Sequence, residues 1–172
     1  MCEVELIKKS KSGNSSAFSK LIKFYEKDLY RVAIAMVKNN DDALDCIQDT
    51  ILSAYKNIHK LSNEIYFKTW LIKILINNCN NCLYKRKKTI SLFYNKEESS
   101  YEENFNGIDL KDAVGRLDSE LKILVILYYY EDLSVKEISD SLKIPEGTVK
   151  SRLSRARTRL KSILIDDNSE VL

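Results

Sequence analysis

The chain has 172 residues, room for one domain or two small ones at roughly 100 to 200 residues each. Only four Gly and one Pro stand among them, too few to supply the tight turns of a sandwich or barrel, so the expected fold class is all-α. Hydrophobic residues at 44% exclude a disordered chain, and 28 basic against 25 acidic side chains carry information only if the two signs are segregated along the sequence.

No apolar run approaches the roughly 18 residues that span a bilayer, and Met1-Cys2-Glu3-Val4-Glu5 is acidic where a signal peptide is basic. A cytoplasmic protein with no membrane insertion and reduced cysteines is expected. From residue 3 to residue 84 apolar residues recur three and four apart, broken at Ser12-Gly13-Asn14, at Asn39-Asn40-Asp41 and at 61–64. That is the pattern of successive amphipathic helices. Asn14 or Ser15 caps one through Phe18, Leu21, Ile22, Tyr25, Leu29, Val32 and Met36, and Asn40 caps the next through Ala43, Ile47, Ile51, Ala54 and Ile58. A third is expected over 66–85, with Phe67, Trp70, Leu71, Ile74 and Leu75 as its apolar stripe. Its last turn carries Lys85-Arg86-Lys87-Lys88, set against the negative end of the helix dipole.

Residues 89–107 hold Glu97, Glu98, Glu102 and Glu103 with no sustained period, and are expected to be a flexible acidic linker. It divides a helical domain at 1–88 from a second at 108–172. The second begins with Leu110, Val114 and Leu117, then a helix from Leu121 to Tyr130 behind a cap at Asp118.

Ser134-Val135-Lys136-Glu137 is a capping box, and Val135, Ile138 and Leu142 give the short helix behind it one apolar face. A turn at Lys143-Ile144 leads to Pro145, suited to a first helical position, and then to Val149, Leu153, Ala156, Leu160 and Ile163, spaced as an unbroken inward stripe. At about 100° per residue, Gly147, Ser151, Ser154 and Thr158 project near the opposite pole, with Thr148 and Arg155 to one side of it. Lys150 and Arg157 flank the stripe on one side, Arg152 and Arg159 on the other. Two basic walls around small polar side chains suit a helix lying in a major groove, the walls meeting phosphates and the crest reaching base edges. The motif is a helix-turn-helix, and its candidate DNA-binding residues are Thr148, Lys150, Ser151, Arg152 and Arg155.

The segment Gly147-Thr148-Val149-Lys150-Ser151-Arg152-Leu153-Ser154-Arg155-Ala156-Arg157, with Glu137-Ile138-Ser139 before it, resembles region 4.2 of the extracytoplasmic-function (ECF) group of sigma-70 family sigma factors. Asp42-Ala43-Leu44-Asp45-Cys46-Ile47-Gln48-Asp49-Thr50 is similar to the family's region 2.2, and Phe67-Lys68-Thr69-Trp70-Leu71-Ile72-Lys73-Ile74 followed by Asn77 to its regions 2.3 and 2.4. The resemblance covers about residues 5–88 and 108–164. It implies a σ2 helical bundle and a σ4 helix-turn-helix domain, in a protein that binds core RNA polymerase at the β′ clamp helices and β flap and directs it to −35/−10 promoters. It further implies control by an anti-sigma factor, and no cofactor, metal or small-molecule substrate.

Carried onto this chain, the resemblance assigns core polymerase binding to Asp45, Gln48, Asp49 and Leu52, which fall three to four apart and can share one helical stripe. It assigns the single-stranded −10 element to Asn63, Tyr66, Lys68 and Asn77. Asn63, Tyr66 and Lys68 offer an amide, a stacking face and a phosphate partner, the parts needed to hold an unstacked base. Where the family often has Asp and Arg after the Asn, this chain has Asn81 and Tyr84, and Lys85 to Lys88 are available for phosphates instead.

Cys79-Asn80-Asn81-Cys82, with Cys2, Cys46 and His59, invites a zinc or redox reading, yet no second cysteine pair completes a structural site and the spacing lies mid-helix among apolar residues. Packing is the expected role. A lone His and no phosphate loop leave catalysis without parts, so a non-enzyme is expected. Tyr128-Tyr129-Tyr130 is expected to divide between core and flank. Two rivals stand beside the sigma reading: a helix-turn-helix regulator that binds operators without replacing sigma, and a protein interaction module.

Overall fold

The computed structural model describes residues 3–90 and 110–169, and these form two compact helical units, one from each stretch. The expected linker lies almost wholly outside the described residues. The first unit holds α1 (Glu3–Lys11), α2 (Ser15–Val37), α3 (Asn40–Asn57) and α4 (Phe67–Ile90), with two short 3-10 turns, Ile58–Lys60 and Glu64–Tyr66, between α3 and α4.

Asn14 caps α2 as expected, its Oδ1 accepting from the Ala17 amide at 2.9 Å. The cap of α3 is Asn39, not Asn40. Asn39 has the extended backbone a cap requires (φ −139°, ψ 132°) and accepts from the Asp42 amide at 2.9 Å, whereas Asn40 is already helical. Helix α4 starts at Phe67 and runs to Ile90, so the basic run begins inside it rather than closing it.

The core of this unit is made by Leu21, Leu29, Val32 and Ala33 of α2, Ala43, Cys46 and Ala54 of α3, and Phe67, Leu71, Ile72, Leu75, Ile76 and Cys79 of α4, all buried. Two other helices pack along α4, which therefore needs a broader apolar face than a single three-and-four stripe, and Ile72 and Ile76 widen it. Trp70 and Ile74 fall at its margin and are only half-buried. The Phe67 ring lies 5.5 Å from Tyr25 and 5.8 Å from Trp70, joining α2 to the start of α4. Tyr25 donates its hydroxyl to the Glu3 carboxylate, and burial, then that carboxylate, hold the phenol well above its usual range. Asn78 Nδ2 donates to Thr50 Oγ1 at 3.0 Å, a polar tie between α4 and the buried Thr50 of α3.

The second unit comprises α5 (Leu110–Gly115), α6 (Ser119–Val125), a π-helical turn (Ile126–Tyr130), α7 (Val135–Leu142) and α8 (Glu146–Ser169). Asp118 occupies the N-cap position of α6, but its side chain makes no capping bond; its carbonyl accepts from Leu121 and Lys122 at 2.9 and 2.8 Å. The expected helix to Tyr130 changes winding at Ile126. The wider turn buries Ile126 and Leu127 while Tyr128 and Tyr129 reach the surface as an edge-to-face pair 4.9 Å apart. Tyr130 packs on the core of Val114, Leu117, Val125 and Ala156, beside Leu121, Leu160 and Ile163.

The capping box before α7 is complete. Ser134 Oγ accepts from the Glu137 amide at 3.2 Å and Glu137 Oε2 accepts from the Ser134 amide at 3.0 Å. Helix α7 ends on Lys143 in the left-handed region (φ 57°), and Ser139 Oγ fastens the turn by donating to the Ile144 carbonyl at 2.6 Å. Pro145 stands one position earlier than expected, at the N-cap, since its carbonyl accepts from Thr148 and Val149 at 2.9 and 3.1 Å. No helix of the described residues is long and apolar enough to cross a membrane.

Candidate nucleic-acid interface

Helix α8 is oriented by its inward stripe. Val149, Leu153 and Ala156 are buried, which fixes what the rest of the helix shows to solvent. Gly147, Lys150, Ser151, Ser154, Arg155, Arg157, Thr158 and Arg159 are exposed, and Thr148 is half-buried at the first turn. Ser151 Oγ donates to the Thr148 carbonyl at 3.0 Å, keeping this hydroxyl close against the helix.

Arg152 differs from the other candidates. It is half-buried, its guanidinium meets Glu120 of α6 at 2.9 Å, and its Nε is buried with no hydrogen-bond partner. It therefore stands at the α6 side of the exposed crest, while Lys150, Ser151 and Arg155 stand on it. Arg157 on the other flank donates to the Tyr129 hydroxyl at 3.4 Å. The result is a crest of small polar and basic groups on a helix whose first turn points into solvent.

In the first unit the −10 candidates divide. Asn63, Tyr66 and Lys68 cluster at the entry to α4. Asn63 Oδ1 accepts from the Ile65 amide at 3.0 Å, so its capacity for recognition rests on its side-chain N–H donors. Tyr66 is 60% exposed and Ile65 beside it 79%, and neither has a place in the core. Lys68 is half-buried, its Nζ 3.9 Å from Asp28 of α2. Asn77 lies nine residues after Lys68, about half a rotation away, and shares an exposed face with Asn81 and Tyr84. Ile65 was missed by sequence reasoning: one apolar residue in a polar turn carries no periodic signal, and only its exposure marks it. Of the basic run, Arg86 is drawn onto α3 by Asp42 at 3.5 Å.

Asp45, Gln48, Asp49 and Leu52 are all exposed along one face of α3, Leu52 at 58%. Leu44 and Tyr55, each 43% exposed, extend the same face, and Tyr55 sits edge-on to Phe18 at 5.1 Å. Asp45 and Asp49 are thus interleaved on one exposed face with three large apolar side chains, Leu44, Leu52 and Tyr55.

The thiols sit elsewhere. Cys46 and Cys79 are buried where α3 meets α4 and Cys82 is half-buried next to them, all reduced. Burial pushes the Cys46 thiol up to about 11 and the Cys79 thiol higher still, so both stay protonated and weakly nucleophilic. Among the described residues no group of three or more His, Cys, Asp or Glu could hold a metal ion.

Comparison with known proteins follows the same division. The sigma-70 region 2 family model matches residues 21–89 and the sigma-70 region 4 model residues 108–160. RNA polymerase sigma factor SigV of Bacillus subtilis is 34% identical over 139 residues, 77% of this chain and 81% of that protein. The ECF RNA polymerase sigma factor SigW of the same organism is 29% identical over 181 residues, 93% of this chain and 95% of its own. Among solved structures, the sigma factor RpoE of Bartonella quintana, in complex with the anti-sigma factor NepR, superposes with a TM-score of 0.64 at 26% identity, over 86% of this chain and 96% of that one. CnrH, in complex with the cytosolic domain of CnrY, shares the fold (TM-score 0.60, 22% identity, 96% of this chain and 98% of that one). Two helical units in the order of regions 2 and 4, and a relative of this identity over most of both chains, place the protein: it belongs to the ECF group of the sigma-70 family, non-catalytic transcription factors.

Proposed function

We propose that this protein replaces the housekeeping sigma subunit on core RNA polymerase in the cytoplasm and carries the enzyme to a dedicated set of −35/−10 promoters. The observation that carries the reading is the crest of α8, where Lys150, Ser151, Ser154 and Arg155 are exposed over a buried Val149-Leu153-Ala156 stripe. Thr148, Lys150, Ser151 and Arg155 meet the edges of −35 base pairs in the major groove. Arg152, drawn toward Glu120, serves the phosphate wall on that side.

Asp45, Gln48, Asp49 and Leu52, with Leu44 and Tyr55, dock on the β′ clamp helices, the apolar side chains supplying buried area and the acids orientation. The second unit, residues 108–172, meets the β flap. Residues 1–88 hold the melted −10 strand through Asn63, Tyr66, Lys68 and Asn77, with Tyr66 stacking on an unpaired base. Residues 89–107 join the two. Each DNA contact is weak alone, but both belong to one holoenzyme, so the second forms at high effective concentration. An anti-sigma factor, as NepR is for RpoE, covers these surfaces until a signal releases them.

Start-site mapping after overproduction identifies the promoters, and transcription in vitro with purified core enzyme tests the mechanism. Promoter-specific transcripts that require this protein are expected. Specific duplex binding without core polymerase, and no transcript with it, would instead establish an operator-binding regulator.

A further inference from the structure

The turn that carries Asn63, Ile65 and Tyr66 has few anchors of its own. Asn63 supplies two local bonds, from the Ile65 amide to its side chain at 3.0 Å and from the Tyr66 amide to its carbonyl at 3.2 Å. Ile65 and Tyr66 point outward, so apolar burial anchors the turn only at its ends, through Leu61 and Phe67. Between those ends, among the described residues, a long-range polar clamp reaches the turn. Lys11, the last residue of α1, donates through Nζ to the Leu61 carbonyl at 2.8 Å and to the Glu64 carboxylate at 2.9 Å.

Those two acceptors bracket Asn63 in sequence and lie 50 and 53 residues from Lys11. Both ends of the ion pair are largely covered, with side-chain exposures of 24% for Lys11 and 23% for Glu64. A lysine ending a helix ordinarily meets its own helix's terminal carbonyls. Here it is directed to another segment, and the hydrogen bond it makes to Glu64 holds that carboxyl below its usual range. The ammonium is a compact donor with three N–H groups, able to serve a carbonyl and a carboxylate at once.

We propose that Lys11 is a positioning residue for promoter melting: by bridging Leu61 and Glu64 it holds the 61–66 turn in the shape that presents Asn63 and Tyr66 to single-stranded DNA. The inference rests on the −10 reading of that turn. It makes α1, which carries none of the assigned DNA or polymerase contacts, a part of −10 recognition. It also predicts that the loss falls on strand capture, leaving core binding and −35 binding as they were.

The test uses holoenzyme assembled from core polymerase and the full-length chain. The probe is fluorescent single-stranded DNA bearing the −10 element of a mapped promoter, or the best-bound sequence from a randomised single-stranded pool. Lys11→Met, which keeps the stem and removes the donors, is expected to weaken probe binding roughly tenfold, within the range a lost base stack produces. Core affinity and duplex −35 affinity stay at wild-type values. Lys11→Arg, which keeps donors for both acceptors, is expected to recover binding to within about twofold. Lys11→Met binding the probe as wild type does would overturn the proposal, as would a parallel loss of core affinity, the mark of a merely structural role. A wild-type holoenzyme that cannot hold either probe would sink the −10 reading of the turn and the Lys11 role with it.

Discussion

The two surfaces proposed to face DNA are built by opposite means. The crest of α8 is regular: a helix with a local cap and one buried stripe presents whatever its other faces carry, and that cap and stripe, with the capping box before them, lie within about thirty residues. The surface at the start of α4 is irregular, a 3-10 turn fastened by a lysine 50 residues earlier and followed by a helix whose burial begins at Phe67. A regular helix suits the rigid periodic duplex, whereas an unstacked base needs a concave, shaped site that a single helix face cannot form. The first surface depends on sequence locally, the second on the packing of a whole unit.

The most severe way to break that comparison is to remove the ring beneath the irregular surface. Phe67→Ala empties a fully buried site between Tyr25 and Trp70, with an expected cost of about 3–5 kcal/mol to the first unit. Trp70 is the only tryptophan and lies 5.8 Å away, so its fluorescence during denaturant unfolding reports this unit and should shift strongly. Isolated duplex −35 binding by the second unit should survive. Arg155→Ala does the converse. It is expected to cost roughly 1–3 kcal/mol of −35 affinity, measured by titrating duplex DNA, with the Trp70 transition unmoved.

The contrast also explains what the sequence disclosed. The stripe Val149, Leu153, Ala156 and the box Ser134-Glu137 were legible because both are short-range patterns, and both stand in the structure where they were expected. The α3 stripe was legible for the same reason. Errors arose where a neighbour decides. Trp70 and Ile74 belonged to the simplest apolar stripe of α4, but the packing of two helices on it brought Ile72 and Ile76 inward instead. Asp118 stands at the N-cap of α6 as expected, and only its side-chain capping bond is missing. Arg152 looks like its neighbours in sequence, and only Glu120, 32 residues away on α6, sets it apart. The Lys11 clamp could not be seen at all, because a bond across 50 residues leaves no local pattern.

A milder change sharpens the point about local control. Ser134→Ala removes the two hydrogen bonds of the serine hydroxyl, accepted from the Glu137 amide and donated to the Glu137 carboxylate, while the backbone amide at 134 still donates to Glu137; it is expected to destabilise the second unit by about 1 kcal/mol, read by thermal or denaturant unfolding of that unit. Because α7 supports α8 through Ile138 and the Ser139 to Ile144 bond, −35 affinity should fall only where the unit begins to unfold.

Gly147 gives the smallest effect and the most informative one. It sits in the first turn of α8, exposed, with an ordinary negative-φ backbone, and a Cβ built there would meet nothing within 4 Å. Nothing inside the domain asks for glycine, and in a helix glycine is entropically unfavourable. Gly147→Ala is therefore expected to stabilise the second unit by about 0.5 kcal/mol, seen as a higher melting temperature. The same methyl group would stand on the surface that approaches the duplex, where close contact with base edges or phosphates leaves little room. Affinity for −35 DNA should fall as stability rises. That opposition separates a residue kept for its partner from one kept for its fold, since a position required only by the fold would move both quantities in the same direction.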